Sequence, residues 1–149
     1  SISIDLAVYT PAIPESNIEL QFIRKNNIPL IKRAELLGQL SKEHFTIAVA
    51  GTHGKTTITS MIAHILHGAG KNICAFIGGI ANNFNSNLVL SNNPDFFVVE
   101  ADEFDKSFLQ LQPSIALVSS IDADHLDIYQ SRDHMIDTYK HFAKKAASK

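Results

Sequence analysis

The stretch Phe45-Thr46-Ile47-Ala48-Val49-Ala50-Gly51-Thr52-His53-Gly54-Lys55-Thr56-Thr57 decides how this chain is read. Residues 45–50 are apolar and rich in β-branched side chains, which predicts a buried strand bounded by Gly51. From Lys55 to about His67 the apolar residues Ile58, Met61, Ile62, Ile65 and Leu66 recur at helical spacing, and Gly68 and Gly70 supply a stop. A strand, a glycine-bounded turn and a helix in direct succession form the context in which backbone N–H groups close around a polyphosphate. Gly51 and Gly54 let the backbone approach the anion, and the helix turns its positive dipole end toward it. Lys55 supplies a mobile cation for the β- and γ-phosphates, and the Thr56 hydroxyl is placed to reach Mg2+. The candidate nucleotide-binding residues are therefore Gly51, Thr52, His53, Gly54, Lys55, Thr56 and Thr57. The commoner phosphate loop carries an earlier glycine where Val49 stands, so this is a tighter Gly-x-x-Gly-Lys-Thr variant. That departure points away from GTPases, as does the lack of a guanine-reading Asn-Lys-x-Asp run.

Toward the N-terminus, residues 5–9 predict a short strand that runs straight into the turn-rich Thr10-Pro11-Ala12-Ile13-Pro14. No lead-in element precedes that strand, so the chain is expected to begin within a domain. A helix is expected over 16–26 with Ile18, Phe22 and Ile23 on one side, a strand over 27–31, a helix over 33–40 and a polar linker over 41–44. Toward the C-terminus, strands are expected over 72–77, 95–100 and 114–119, with a polar loop between Ile77 and Asn87 and a final helix over 131–147. Continuous apolar strands separated by helices predict an α/β fold, a parallel sheet flanked by helices on both faces.

Two of these strands end in acids. Phe96-Phe97-Val98-Val99 runs into Glu100-Ala101-Asp102-Glu103, and in open α/β sheets ligands collect at the carboxyl ends of strands. Glu100 is thus a candidate metal ligand facing the loop phosphates, and a cation would offset the repulsion among these acids. Asp102 and Glu103 serve equally well as caps or solvating groups for a following helix. Ile115-Ala116-Leu117-Val118-Ser119-Ser120 leads into Asp122-Ala123-Asp124-His125-Leu126-Asp127, where carboxylates flank His125 and can orient its ring. Magnesium prefers oxygen, so a histidine ligand fits one of two metals better than a sole site.

Composition bounds the function. A chain with 45% hydrophobic and 19% charged residues is an ordinary globular sequence, and its formal net charge of −2 lacks the basic excess of a nucleic-acid binder. Cys74 is the single cysteine and lies in the apolar run Ile73-Cys74-Ala75-Phe76-Ile77, which reads as a small buried hydrophobe. No apolar stretch approaches the roughly 20 residues that span a bilayer. The first residues lack the basic and apolar regions of a signal peptide, so no membrane insertion and a cytoplasmic setting are expected.

Taken together, Gly-Thr-His-Gly-Lys-Thr-Thr at 51–57, Glu-Ala-Asp-Glu-Phe-Asp at 100–105 and Asp-Ala-Asp-His-Leu-Asp at 122–127 resemble, in order and spacing, the central ATPase domain of the Mur ligase family. The loop histidine, the Val-Glu-Ala-Asp-Glu strand end and Arg33-Ala34-Glu35-Leu36-Leu37 look most like its L-alanine-adding branch. Thr10 to Pro14 resembles the closing loop of the UDP-binding N-terminal domain. The resemblance covers nearly the whole chain. It implies a P-loop NTPase-like central domain over 45–149, preceded over 1–44 by the tail of a Rossmann-like UDP-substrate domain and a linker. It also implies ATP and Mg2+ as cofactors, with UDP-N-acetylmuramate and L-alanine as substrates joined through an acyl phosphate. By the same resemblance Lys55, Glu100 and His125 are catalytic, Thr56 and Glu100 hold one Mg2+, and His125 helps to hold a second. The segment Gly78-Gly79-Ile80-Ala81-Asn82-Asn83 is expected to face the muramate end. Some relatives use a carbamylated lysine; Lys140 and Lys144 are the nearby candidates, and this branch is not expected to need one. Family members are considerably longer, and their C-terminal amino-acid-binding domain has no counterpart here. The chain is thus expected to be a fragment that binds ATP weakly and does not turn over alone. The alternatives are a murein tripeptide ligase, a folylpolyglutamate synthase-like ligase, and a non-catalytic nucleotide-binding module.

Overall fold

The computed structural model of the protein describes residues 3–102, 104–122, 129 and 131–146. In chain order it contains β1 (Ala7–Tyr9), α1 (Ile18–Lys25), β2 (Leu30–Lys32), α2 (Arg33–Glu43), β3 (Thr46–Ala50), α3 (Lys55–Gly68) and β4 (Ile73–Ala81). There follow β5 (Ser86–Val89), β6 (Phe96–Glu100), a 3-10 segment (Phe104–Gln110), β7 (Ile115–Val118) and α4 (Arg132–Ala146). Strands β1 and β2 pair in parallel as a two-stranded sheet, and the others form a five-stranded sheet of order β5-β4-β6-β3-β7. Every pairing in the larger sheet is parallel except that of β4 with β5.

The two faces of this sheet follow from the period of two along a strand. On β6, Phe97 and Val99 join Ala48 and Ala50 of β3 against Phe108, Met135, Tyr139 and Phe142 of the 3-10 segment and α4. Val98 points the other way and packs with Ile73, Ala75 and Ile77 of β4 against Ala63 of α3. All of β3 is buried, which is why its sequence is continuously apolar rather than alternating. The α/β architecture expected from the sequence is the one observed.

Two local expectations fail. Residues 78–87 were expected to form a polar loop, but β4 continues to Ala81 and β5 returns antiparallel beside it. A turn after Ala81, closed by the Phe84 amide on the Ala81 carbonyl with Asn85 at φ 48°, makes the reversal. An edge strand has to bury only part of its surface, so Ser86 and Asn87 are tolerated there. The linker expected over 41–44 is instead largely helical, since α2 runs to Glu43. Its one buried polar residue is satisfied internally, while Lys42 and Glu43 face solvent. The buried Ser41 donates to the Gly38 carbonyl and accepts from the Gln112 amide at 2.9 Å, while the Thr46 hydroxyl donates to the Ser41 carbonyl.

Candidate functional site

Helix α3 begins at Lys55, with Gly54 at φ 77° as the residue before it. The turn that feeds it, residues 51–54, leaves the C-terminal end of β3, an inner strand between β6 and β7. Gly51 adopts φ 133°, and a Cβ there would lie 2.9 Å from the Ser120 amide nitrogen and 3.0 Å from its carbonyl oxygen. Only glycine fits that corner without strain. Lys55, Thr56 and Thr57 occupy the first turn of α3, where the amides have no helical acceptors and the dipole is positive. The Lys55 ammonium lies back over the turn, donating to the Gly51 carbonyl at 2.7 Å.

Glu100 ends β6 beside this turn. One carboxylate oxygen accepts from the Thr56 hydroxyl at 3.0 Å, and the other accepts from the Gly78 amide at 2.6 Å. The Gly78 amide fixes the carboxylate, and a Cβ on Gly78 would lie 2.5 Å from both of its oxygens. Glycine at 78 therefore leaves room for the acid. A hydroxyl and a carboxylate brought together are hard oxygen donors of the kind Mg2+ takes, and that ion keeps most of its shell for water and substrate phosphates. Among the described residues no group of three or more His, Cys, Asp or Glu side chains is arranged around a metal position. His125 lies outside the described residues, as does Glu103.

The residues that hold the turn from behind are not legible in the sequence. Ser119 and Ser120 follow β7, and parallel pairing with β3 brings them under residues 51–53. The Ser120 hydroxyl lies 2.9 Å from that of Thr52 and accepts from the His53 amide at 3.2 Å. The Thr52 amide donates to the Ser120 carbonyl at 3.0 Å, and the Ser119 hydroxyl donates to the His53 carbonyl. The Asp122 amide donates to the Thr52 hydroxyl at 3.1 Å, and the Asp122 carboxylate lies 3.7 Å from the His53 ring, with both side chains more than half exposed. The visible signal was two small polar residues ending an apolar strand, which alone does not say what they bond. Lys140, on the exposed side of α4, pairs with Asp137 at 3.3 Å.

Above the turn is an open recess of about 350 Å³ lined by residues 52–57 and Glu100. Beside it a larger cleft of about 470 Å³ shares Lys55 and Glu100, and is closed by Leu37 of α2, Phe76 and Gly78 of β4, and Leu88 of β5.

A glycine-bounded turn from an inner strand of a mostly parallel sheet into a helix, with an acid at the neighbouring strand tip, defines an α/β domain of the phosphate-loop class. Comparison with known proteins narrows this. The profile described as the Mur ligase middle domain matches residues 49–149, and the chain belongs to the Mur ligase family. It is 50% identical over 143 residues to the UDP-N-acetylmuramate–L-alanine ligase of Cytophaga hutchinsonii, a match covering 94% of this chain and 31% of that relative. A similar solved structure is the UDP-N-acetylmuramate:L-alanyl-gamma-D-glutamyl-meso-diaminopimelate ligase from Neisseria meningitides, with TM-score 0.82, 28% identity, and coverage of 97% of this chain and 50% of that one. The UDP-N-acetylmuramate-alanine ligase from Thermotoga maritima gives TM-score 0.77 at 30% identity, covering 97% of this chain and 33% of that chain. The chain thus spans about a third of the length of the curated relatives it matches. Among the described residues no helix is long and apolar enough to cross a membrane.

Proposed function

We propose that this chain is the ATP-binding part of a cytoplasmic ligase that joins L-alanine to the carboxylate of UDP-N-acetylmuramate in peptidoglycan synthesis. The observation that carries the reading is the convergence of Lys55, Thr56 and Glu100, from two elements, on one recess above the 51–54 turn. On this reading residues 1–44 belong to a UDP-substrate domain and 45–149 to the ATPase domain.

Each residue has a physical task. Backbone amides of 51–57 and the α3 dipole hold the phosphates of ATP. The Lys55 ammonium exchanges its contact with the Gly51 carbonyl for the β- and γ-phosphates and stabilises charge on the transferring group. Thr56 and Glu100 would hold Mg2+, which when bound neutralises phosphate charge, and His125 would serve at a second ion. A muramate carboxylate oxygen attacks the γ-phosphorus, the bond to the β–γ bridging oxygen breaks, and ADP leaves an acyl phosphate behind. The alanine amine then attacks the acyl carbon. Phosphate departs with the C–O electron pair, and the nitrogen loses its proton. Gly78 and Thr56 keep Glu100 oriented throughout.

Support for alanine as the amine comes from relatives of that name at about half identity over most of this chain. The higher TM-score of the Neisseria ligase makes a peptide the alternative amine to test. Titrating Mg-ATP into this chain and into Lys55→Ala tests the site: affinity should fall on the order of 10- to 100-fold, the range for losing a charge-assisted contact. Equal heats would remove Lys55 from the phosphate site. Turnover with L-alanine, tripeptide or glutamate, followed as ADP release by the full-length gene product, separates the ligase readings. Binding without any turnover would leave a non-catalytic nucleotide module.

A further inference from the structure

The larger cleft beside the phosphate recess has one wall with no task in the chemistry proposed for Lys55, Thr56 and Glu100. Arg33, the first residue of α2, lines it together with Leu36 and Leu37, facing a space bordered also by Lys55, Glu100 and Asp102. The same residue lines the adjoining groove with Thr10 and Pro11. Arg33 is exposed, and among the described residues its guanidinium has no ion-pair or hydrogen-bond partner, although Asp102 borders the same cleft. The helix also starts there, and its first amides add positive potential, while Glu35 is engaged with the Lys32 amide at 3.1 Å.

We infer that Arg33 binds the carboxylate of the acid substrate and steers it past Glu100 and Asp102 toward Lys55. This rests on the acyl-phosphate ligase reading and names the residue that admits the acid. The electrostatic problem is specific. A substrate carboxylate that must come within roughly 3–3.5 Å of a γ-phosphorus enters a space already holding two protein carboxylates and a polyphosphate. Lys55 alone cannot serve both the phosphates and the incoming acid. A guanidinium on a different element offers the planar fork that matches a carboxylate, and it arrives without an internal partner to give up. The rest of the cleft is apolar at Leu36, Leu37, Phe76 and Leu88, with Asn87 as a neutral polar group. Such a lining suits a small organic acid with a carbon skeleton better than a bare inorganic anion.

The test is steady-state kinetics of the full-length gene product with Arg33→Gln and Arg33→Lys. With Mg-ATP and L-alanine saturating, KM for UDP-N-acetylmuramate should rise on the order of 10- to 100-fold in Arg33→Gln while KM for ATP stays put. Arg33→Lys should recover part of the loss, since it keeps the charge without the fork. UDP-N-acetylglucosamine, which has the nucleotide and sugar but no carboxylate, should inhibit wild type and Arg33→Gln equally. A parallel loss of that inhibition would put the guanidinium on the diphosphate and overturn the assignment, as would an unchanged KM for the acid. If wild type shows no acid-dependent ADP release, the ligase reading itself has failed. Binding of N-acetylmuramic acid to this chain by NMR then decides Arg33 separately: weaker binding in Arg33→Gln upholds the assignment, and equal binding ends it.

Discussion

The β1–α1–β2 segment and the five-stranded sheet use the same elements, parallel strands and an amphipathic helix, but bury them to very different degrees. In the sheet, Val49, Val98 and Phe97 are at most 1% exposed. In the segment, Leu20 is the only residue of α1 that is buried, while Ile18 is 82% and Phe22 54% exposed. Within this chain the 51–54 turn therefore rests on a packed core, and the segment rests on local devices. One is the pairing of Arg24 with Glu15, whose hydrogen bond holds the Glu15 carboxyl below the usual carboxylate range. Both partners are solvated, so that pair adds little to stability.

Paired truncations give the largest expected difference. Phe97 meets Phe76 edge-on at 5.3 Å inside the sheet's core, and Phe97→Ala should cost about 3–5 kcal/mol in urea unfolding. Phe22→Ala removes a ring of the same size from an exposed position and should change stability by about 0.5 kcal/mol or less. Comparable losses at the two sites would mean that the segment has a core of its own, and the contrast would be void.

Glycines sharpen the same contrast within the sheet region. Gly51→Ala forces a side chain into the left-handed region at φ 133° and against the Ser120 backbone, so a loss of about 2–3 kcal/mol is expected, with Mg-ATP binding lost as well. Gly70, at φ 74° after α3, has nothing within 4 Å of a Cβ, and Gly70→Ala should cost only about 1 kcal/mol with binding intact. Thermal melts with and without Mg-ATP measure both. If Gly51→Ala behaved like Gly70→Ala, the turn would be more pliable than the Ser119 and Ser120 contacts imply.

What could be read in advance was set by local physics. A continuous apolar run at 46–50, two glycines and a helical stripe from Ile58 onward depend on neighbours in sequence, and they placed the start of α3 correctly at Lys55. Strand β5 was missed because Ser86 and Asn87 read as loop unless one knows that they lie at an edge. The polar stretch 41–44 reads as linker because the partners of Ser41, Gln112 and Thr46, cannot be paired with it from spacing alone. The same holds at the site. Glu100 was legible as an acid at a strand tip, whereas the Gly78 amide that fixes it comes from another strand. His125 was singled out from its flanking acids and lies outside the described residues.

The smallest effect isolates the segment itself. The Asn17 side chain accepts from the Leu20 amide at 2.9 Å and caps α1, and it is one of few fixed contacts that the short helix has. Asn17→Ala should cost about 1 kcal/mol, the usual loss for an N-cap. In a region with so little burial, that loss should appear as local opening: amide exchange quickens across Leu20 to Lys25 while β3 and β6 amides keep their protection. Faster exchange in β3 as well would show that the segment and the sheet unfold as one unit. The phosphate turn would then depend on α1 through α2, which packs against β1, β2 and the 3-10 segment and so bridges the two regions.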